Sequence, residues 1–167
     1  MVMGTQSRIL PLGFFLFLFL FLFMTPLLAQ DSIGTTVVSR GDVEIISAGE
    51  TNPLGRGDFI HEHDEIIVGK RSFAVLQFID GTKLSLRPDS RVIVEQYRFL
   101  SQEDDTAMLN LVSGGIRVNL GAISGQDGKS YRIQTPSGSL LVSDLEGSLT
   151  LCDGQICDQQ GLSKLSD

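Results

Sequence analysis

The chain has 167 residues, with 13 Lys+Arg against 20 Asp+Glu and a formal net charge of −7, a length suited to one domain. The acidic balance argues against nucleic acid, whose affinity rests largely on Lys and Arg neutralising phosphate, and against electrostatic docking on anionic lipid. With 18 glycines, five alanines and no tryptophan, the composition leans towards strands and turns and leaves no indole to stack on a sugar or base.

The N-terminus reads as an export signal. Arg8 is the only charged residue before Gln30, and Ile9 to Met24 are almost wholly apolar. Pro26 breaks the run, and Ala29 supplies a small residue before an expected cut at Gln30, the order of parts in a secretory signal. The competing reading is an uncleaved anchor, since Ile9 to Ala29 is 21 residues and about 20 span a bilayer. Either way the basic end stays inside and the remainder is translocated. Residues 1–29 are thus assigned to the signal helix and 30–167 to one β domain in an extracytoplasmic compartment, with membrane contact only if the apolar helix is retained.

Beyond Gln30 the pattern is short strands between Gly, Asp-Gly and Pro turns. Asp42-Val43-Glu44-Ile45 alternates polar and apolar. Ser72 to Ile79 is apolar on both faces and predicts a central, doubly buried strand. Asp80-Gly81 follows, and this pair tolerates the positive φ of a tight hairpin turn. The return strand Lys83 to Arg87 places Leu84 and Leu86 inward and Lys83, Ser85 and Arg87 outward. Pro88-Asp89-Ser90 turns the chain into Arg91–Phe99. Alternation returns at Leu109–Leu111 and Ile116–Leu120, joined through Ser113-Gly114-Gly115, and again at Tyr131–Gln134 and Ser148–Leu151. Roughly ten strands at this spacing predict an all-β fold of stacked antiparallel hairpins, a roll or sandwich.

The ordered series Pro53-Leu54-Gly55-Arg56-Gly57-Asp58, Asp64-Glu65-Ile66-Ile67-Val68-Gly69, Ser72 to Phe78, Asp80-Gly81-Thr82 and Pro88-Asp89-Ser90 resembles the FecR domain. Gly41-Asp42-Val43 is similar to its opening Gly-x-Val strand. Leu109 to Val118 and Gln134-Thr135-Pro136-Ser137 are similar to its second half. The likeness runs over about residues 34–151. It departs at Leu141–Leu145, which stands where the family often has Val-Arg-Gly-Thr. Signalling members carry a cytoplasmic anti-sigma segment, whereas here Met1–Arg8 precede the apolar run. The resemblance therefore implies the extracytoplasmic β domain, a binding or envelope-signalling module whose partner is a protein or an envelope ligand.

Few residues suggest chemistry. Cys152 and Cys157 are the only cysteines. A two-residue turn at Gly154-Gln155 would set them opposite each other, and two cysteines in an exported chain predict a disulfide. It would close a short loop, contributing less than about 3 kcal/mol. His61-Glu62-His63-Asp64 is the metal-like cluster: on a strand His61 and His63 would share a face. Two imidazoles fall short of the four ligands of a structural site, so a solvated polar turn is expected. Arg56-Gly57-Asp58 reads as a turn, and Ser101 to Asp105 as a solvated acidic loop, with a Ca²⁺ site its alternative. With no Gly-x-Ser-x-Gly and both histidines in one turn, a Ser-His-Asp hydrolase is hard to assemble. No catalytic residue and no cofactor are assigned. The expectation is a non-enzymatic binding module, the alternatives being a small secreted hydrolase using a carboxylate pair and a membrane-anchored sensor accessory.

Overall fold

The computed structural model describes residues 31–101, 104–123 and 130–164. The signal helix, its cut at Gln30 and most of the Gly121–Ser130 loop lie outside the described residues. The described chain is all β, in strands Gly34–Arg40 (β1), Val43–Ser47 (β2), Glu50–Pro53 (β3), Phe59–Ile60 (β4), Glu65–Val68 (β5), Phe73–Phe78 (β6), Lys83–Leu86 (β7), Arg91–Arg98 (β8), Thr106–Ser113 (β9), Gly115–Asn119 (β10), Ser130–Thr135 (β11), Gly138–Val142 (β12), Glu146–Cys152 (β13), Gln155–Gln160 (β14) and Leu162–Lys164 (β15). β4 and β15 carry too few residues to show alternation and β3 is exposed along its whole length, which is why the sequence predicts fewer.

The strands form two sheets. The seven-stranded sheet runs β14-β13-β10-β7-β6-β1-β4, and the eight-stranded sheet runs β15-β12-β11-β9-β8-β5-β2-β3. Hairpins such as β6–β7 and β8–β9 stay within one sheet, as expected. Between hairpins, however, the chain passes from one sheet to the other, and each sheet extends from N-terminal strands at one edge to C-terminal strands at the opposite edge. One consequence is a parallel pair. After β9 the chain crosses to β10 in the other sheet, then returns so that β11 lies parallel to β9, because a parallel pair needs a crossover and not a tight turn.

One core collects the inward side chains of both sheets, among them Ile66, Leu76, Leu84, Leu109, Ile116 and Leu149, all fully buried. Leu84 and Leu86 point in, and Lys83 and Arg87 are exposed, as alternation requires. The expectation for β6 needs correction. The strand is central in its sheet, but only Ala74, Leu76 and Phe78 are buried, while Phe73 on the opposite face is 41% exposed. An apolar run on both faces makes a strand central without making both faces covered.

The β6–β7 turn has three residues, Ile79-Asp80-Gly81. The Phe78 amide donates to the Thr82 carbonyl, and the Gly81 amide to the Phe78 carbonyl. Gly81, at φ +88°, takes the left-handed position that closes such a loop.

Candidate functional site

The turn after β6 also builds the main polar cluster of the interior. Asp80 is 8% exposed. Its Oδ1 accepts the Thr82 amide at 2.9 Å and the Tyr97 hydroxyl at 2.6 Å. Its Oδ2 accepts the Thr82 hydroxyl at 2.6 Å and the Ile123 amide at 3.1 Å. Thr82 Oγ1 in turn accepts the Gly121 amide at 2.9 Å. Four donors converge on one carboxylate, which is what makes a buried charge tolerable. Tyr97 stacks on Phe78 at 4.3 Å and meets Tyr131 edge-on at 6.3 Å. Gly121 is required for the close approach, since a Cβ there would lie 2.2 Å from the Asp80 carbonyl oxygen and 2.5 Å from the Thr82 amide nitrogen.

Burial first, then the charge of nearby groups including Asp80, raises both Tyr97 and Tyr131 above the ordinary tyrosine range. The fold holds these protons more tightly than the unfolded chain does. Their contribution to stability is therefore complete below the unfolded tyrosine value, about 10, and is lost as pH rises above it. Alkaline titration should show no phenolate absorbance from these two rings while the fold persists. The phenolate band and loss of the β circular-dichroism signal should then appear together. Early, gradual ionisation of every tyrosine in a folded protein would contradict this.

The sequence candidates occupy turns. His61 and His63 are not on a strand: His63 has φ +68° and its amide donates to the Val94 carbonyl. Asp64 Oδ2 accepts the His61 amide at 2.7 Å and lies 3.5 Å from His61 Nδ1. Glu62 Oε1 accepts the Tyr97 amide at 2.6 Å. The turn thus clasps β8. It is not wholly solvated as expected, because Asp64 is 2% exposed. Among the described residues no group of three or more His, Cys, Asp or Glu is placed to hold a metal. Arg56-Gly57-Asp58 is a turn in which Asp58 accepts the Gly55 amide at 2.7 Å. In the acidic loop Asp104 pairs with Arg98 at 3.0 Å. Asp105, expected in solvent, is fully buried and accepts the Leu100 amide at 2.7 Å.

Cys152 and Cys157 form the expected disulfide, but the turn between them differs. It is Asp153-Gly154, both at positive φ (+51° and +76°), the pattern of a type I′ hairpin. Register then pairs Cys152 with Gln155 and Leu151 with Ile156, and a shift follows before Thr150 meets Asp158. Cys157 is the extra residue of this bulge, and the bulge turns its sulfur to the exposed face that Cys152 shares.

The outer face of the seven-stranded sheet is the other chemically distinctive region. The pairing sets Lys83 of β7 beside Asn119 of β10, and Ser85 beside Arg117. Arg117 is followed across the sheet by Ser148 of β13 and then Gln160 of β14. Arg117 Nε lies 3.3 Å from Glu146 Oε1, and Arg87 Nη1 donates to Thr150 Oγ1 at 3.0 Å. A depression of about 390 Å³ opens on this face, lined by Arg117, Asp144, Glu146, Ser148, Gln160 and Gly161.

A family model described as FecR protein matches residues 64–156, more than half of the chain. The chain belongs to the FecR family. No curated protein and no solved structure matches it. The FecR match begins at Asp64 of the β4–β5 turn and ends at Ile156 of β14. It takes in the Asp80 cluster and also Lys83, Arg87 and Arg117, while β1 to β4 precede it. The sequence marks Asp80 as a turn residue and Arg117 as one position of an alternating strand, and neither is assigned a site role from it. The signal available for Asp80 was an Asx-type turn residue followed by a hydroxyl-bearing Thr82 between two apolar strands.

Proposed function

We propose that this FecR-family chain is an exported, non-enzymatic module that binds an envelope partner through the outer face of its seven-stranded sheet. The observation that carries the reading is where the polar groups are engaged. The buried carboxylates of Asp64, Asp80 and Asp105 accept backbone amides, so their role is to hold turns. Lys83 and Arg117 instead project outward from paired strands and Arg87 directly follows β7, all exposed on one sheet face, with Arg117 lining an open depression. The exposed disulfide of the β13–β14 hairpin suits an oxidising compartment, and the apolar leader before Gln30 supplies the route there.

The test is affinity capture from envelope extracts with the exported protein. It is done beside a triple variant, Lys83→Gln, Arg87→Gln and Arg117→Gln, whose folding is checked by melting. A reproducible partner that the variant no longer captures is expected. A partner held equally by both proteins would remove the sheet face from the proposal, and an empty capture would remove the binding function.

A further inference from the structure

The outer face of the seven-stranded sheet runs against the charge of the whole chain. The protein carries a net charge of −7, yet across β7 and β10 the cations gather. Lys83 and Arg87, which follows β7 directly, flank Arg117, each displaced by two residues from its direct partner Ser85. Such diagonal neighbours lie about 7–8 Å apart, and like charges facing each other across strands destabilise a sheet. The sheet relieves this only in part. Glu146 pairs with Arg117, and Arg87 is held by a neutral hydroxyl. Among the described residues neither Arg87 nor Lys83 forms an ion pair, so two cations of this face have no carboxylate in direct contact.

The depression beside these cations has a different character. Arg117 donates, Asp144 and Glu146 accept, and Ser148 and Gln160 do both. Hydroxyl groups, which both donate and accept, match such a lining. A bare polyanion does not, because Asp144 and Glu146 would repel it. Phe73 of neighbouring β6 and Phe59 of edge strand β4 are exposed towards one side of this sheet, but the strands that carry the cations and the depression, β7, β10 and β13, hold no exposed large apolar side chain. A protein partner would call for apolar anchors at its centre, and a membrane surface for apolar side chains that enter the lipid.

We infer that this face binds an anionic polysaccharide, with the hydroxyls of one sugar ring in the depression beside Arg117 and carboxylates on the adjoining sugars against Arg87 and Lys83. The inference rests on the binding-module reading and names its ligand class. With no tryptophan in the chain, no indole is available there, and the lining offers hydrogen bonds and charge.

The experiment is titration calorimetry of the full exported protein with polygalacturonate oligomers. Neutral dextran, polyglutamate and anionic phospholipid vesicles are the comparison ligands. Polygalacturonate should bind, and dextran should bind at least tenfold more weakly. Arg117→Gln, and separately Lys83→Gln with Arg87→Gln, should each weaken binding roughly tenfold, the effect of losing a charge-assisted hydrogen bond. Arg132→Gln, on the outer face of the other sheet, should leave binding unchanged, and all variants should melt as the parent does. Polyglutamate binding as tightly as the uronate polymer would make the ligand an acidic polypeptide and overturn the inference. Preferential binding to vesicles, dextran binding as tightly, or indifference to the β7 and β10 variants would also overturn it. If no polyanion binds but envelope capture still depends on the same three cations, the glycan assignment falls alone. If capture is empty too, both readings fall.

Discussion

Asp80→Ala is expected to lower unfolding stability by roughly 4 kcal/mol, since each lost hydrogen bond to a buried charge costs about 1.5–3 kcal/mol and part of the loss relaxes. The aspartate accepts from Thr82 twice, from Tyr97 and from Ile123. Alanine removes the acceptor and leaves two amides and two hydroxyls turned towards an apolar interior. A buried donor without a partner costs more than the bond itself contributed. Asp80→Asn should fall between parent and alanine. It keeps an acceptor at one position and sets an NH2 against donors at the other. Tyr97→Phe removes one donor together with its hydrogen bond, so it should cost about 1 kcal/mol. Denaturant midpoints for the three variants check the order. A loss for Asp80→Ala no larger than for Tyr97→Phe would mean that the carboxylate is not the centre of the cluster.

The same residue shows how far the sequence could be read. Asp80-Gly81 announces a hairpin through backbone conformation alone, and β6 and β7 form it. What the side chain of Asp80 does depends on Tyr97 and Ile123, which are brought to it by strand pairings with no local signature. Alternation correctly turned Lys83 and Arg87 outward, but that they flank Arg117 depends on the β7–β10 register, a contact between distant segments. The same limit explains β6, whose two apolar faces are visible in the sequence while the covering of only one is not. It also explains the parallel β9–β11 pair, which follows from the path through β10. Asp64 and Asp105 read as solvent residues because charge usually is exposed. Their burial follows from the backbone amides of His61 and Leu100 that each one accepts. The disulfide was legible as a pair, but the bulge that carries Cys157 was not, because Asp153-Gly154 and Gly154-Gln155 are both plausible two-residue turns by composition.

Gly114→Ala is expected to be as damaging, by roughly 4 kcal/mol, because two separate penalties coincide there. Gly114 joins β9 of one sheet to β10 of the other and has φ +77°. A left-handed conformation costs a non-glycine residue about 1–2 kcal/mol. A Cβ at this position would also fall 2.5 Å from Ser90 Cα and 2.6 Å from the Asp89 carbonyl oxygen. These are backbone atoms that cannot swing aside. Ser90 itself is fixed: its hydroxyl donates to the Gly115 carbonyl at 2.8 Å and accepts the Gly115 amide at 2.9 Å. Pushing Ser90 away opens those bonds, and with them the Leu151 amide bond to the Gly114 carbonyl at the β10–β13 junction. Gly49 isolates the first penalty, since it has φ +84° and a Cβ added there would meet nothing within 4 Å. Gly49→Ala should therefore cost only the conformational part, about 1–2 kcal/mol. The difference between the two variants in denaturant unfolding measures the steric contact alone. Equal losses at Gly49 and Gly114 would mean that the crossing between sheets is not packed against Ser90, and that strain without contact accounts for both.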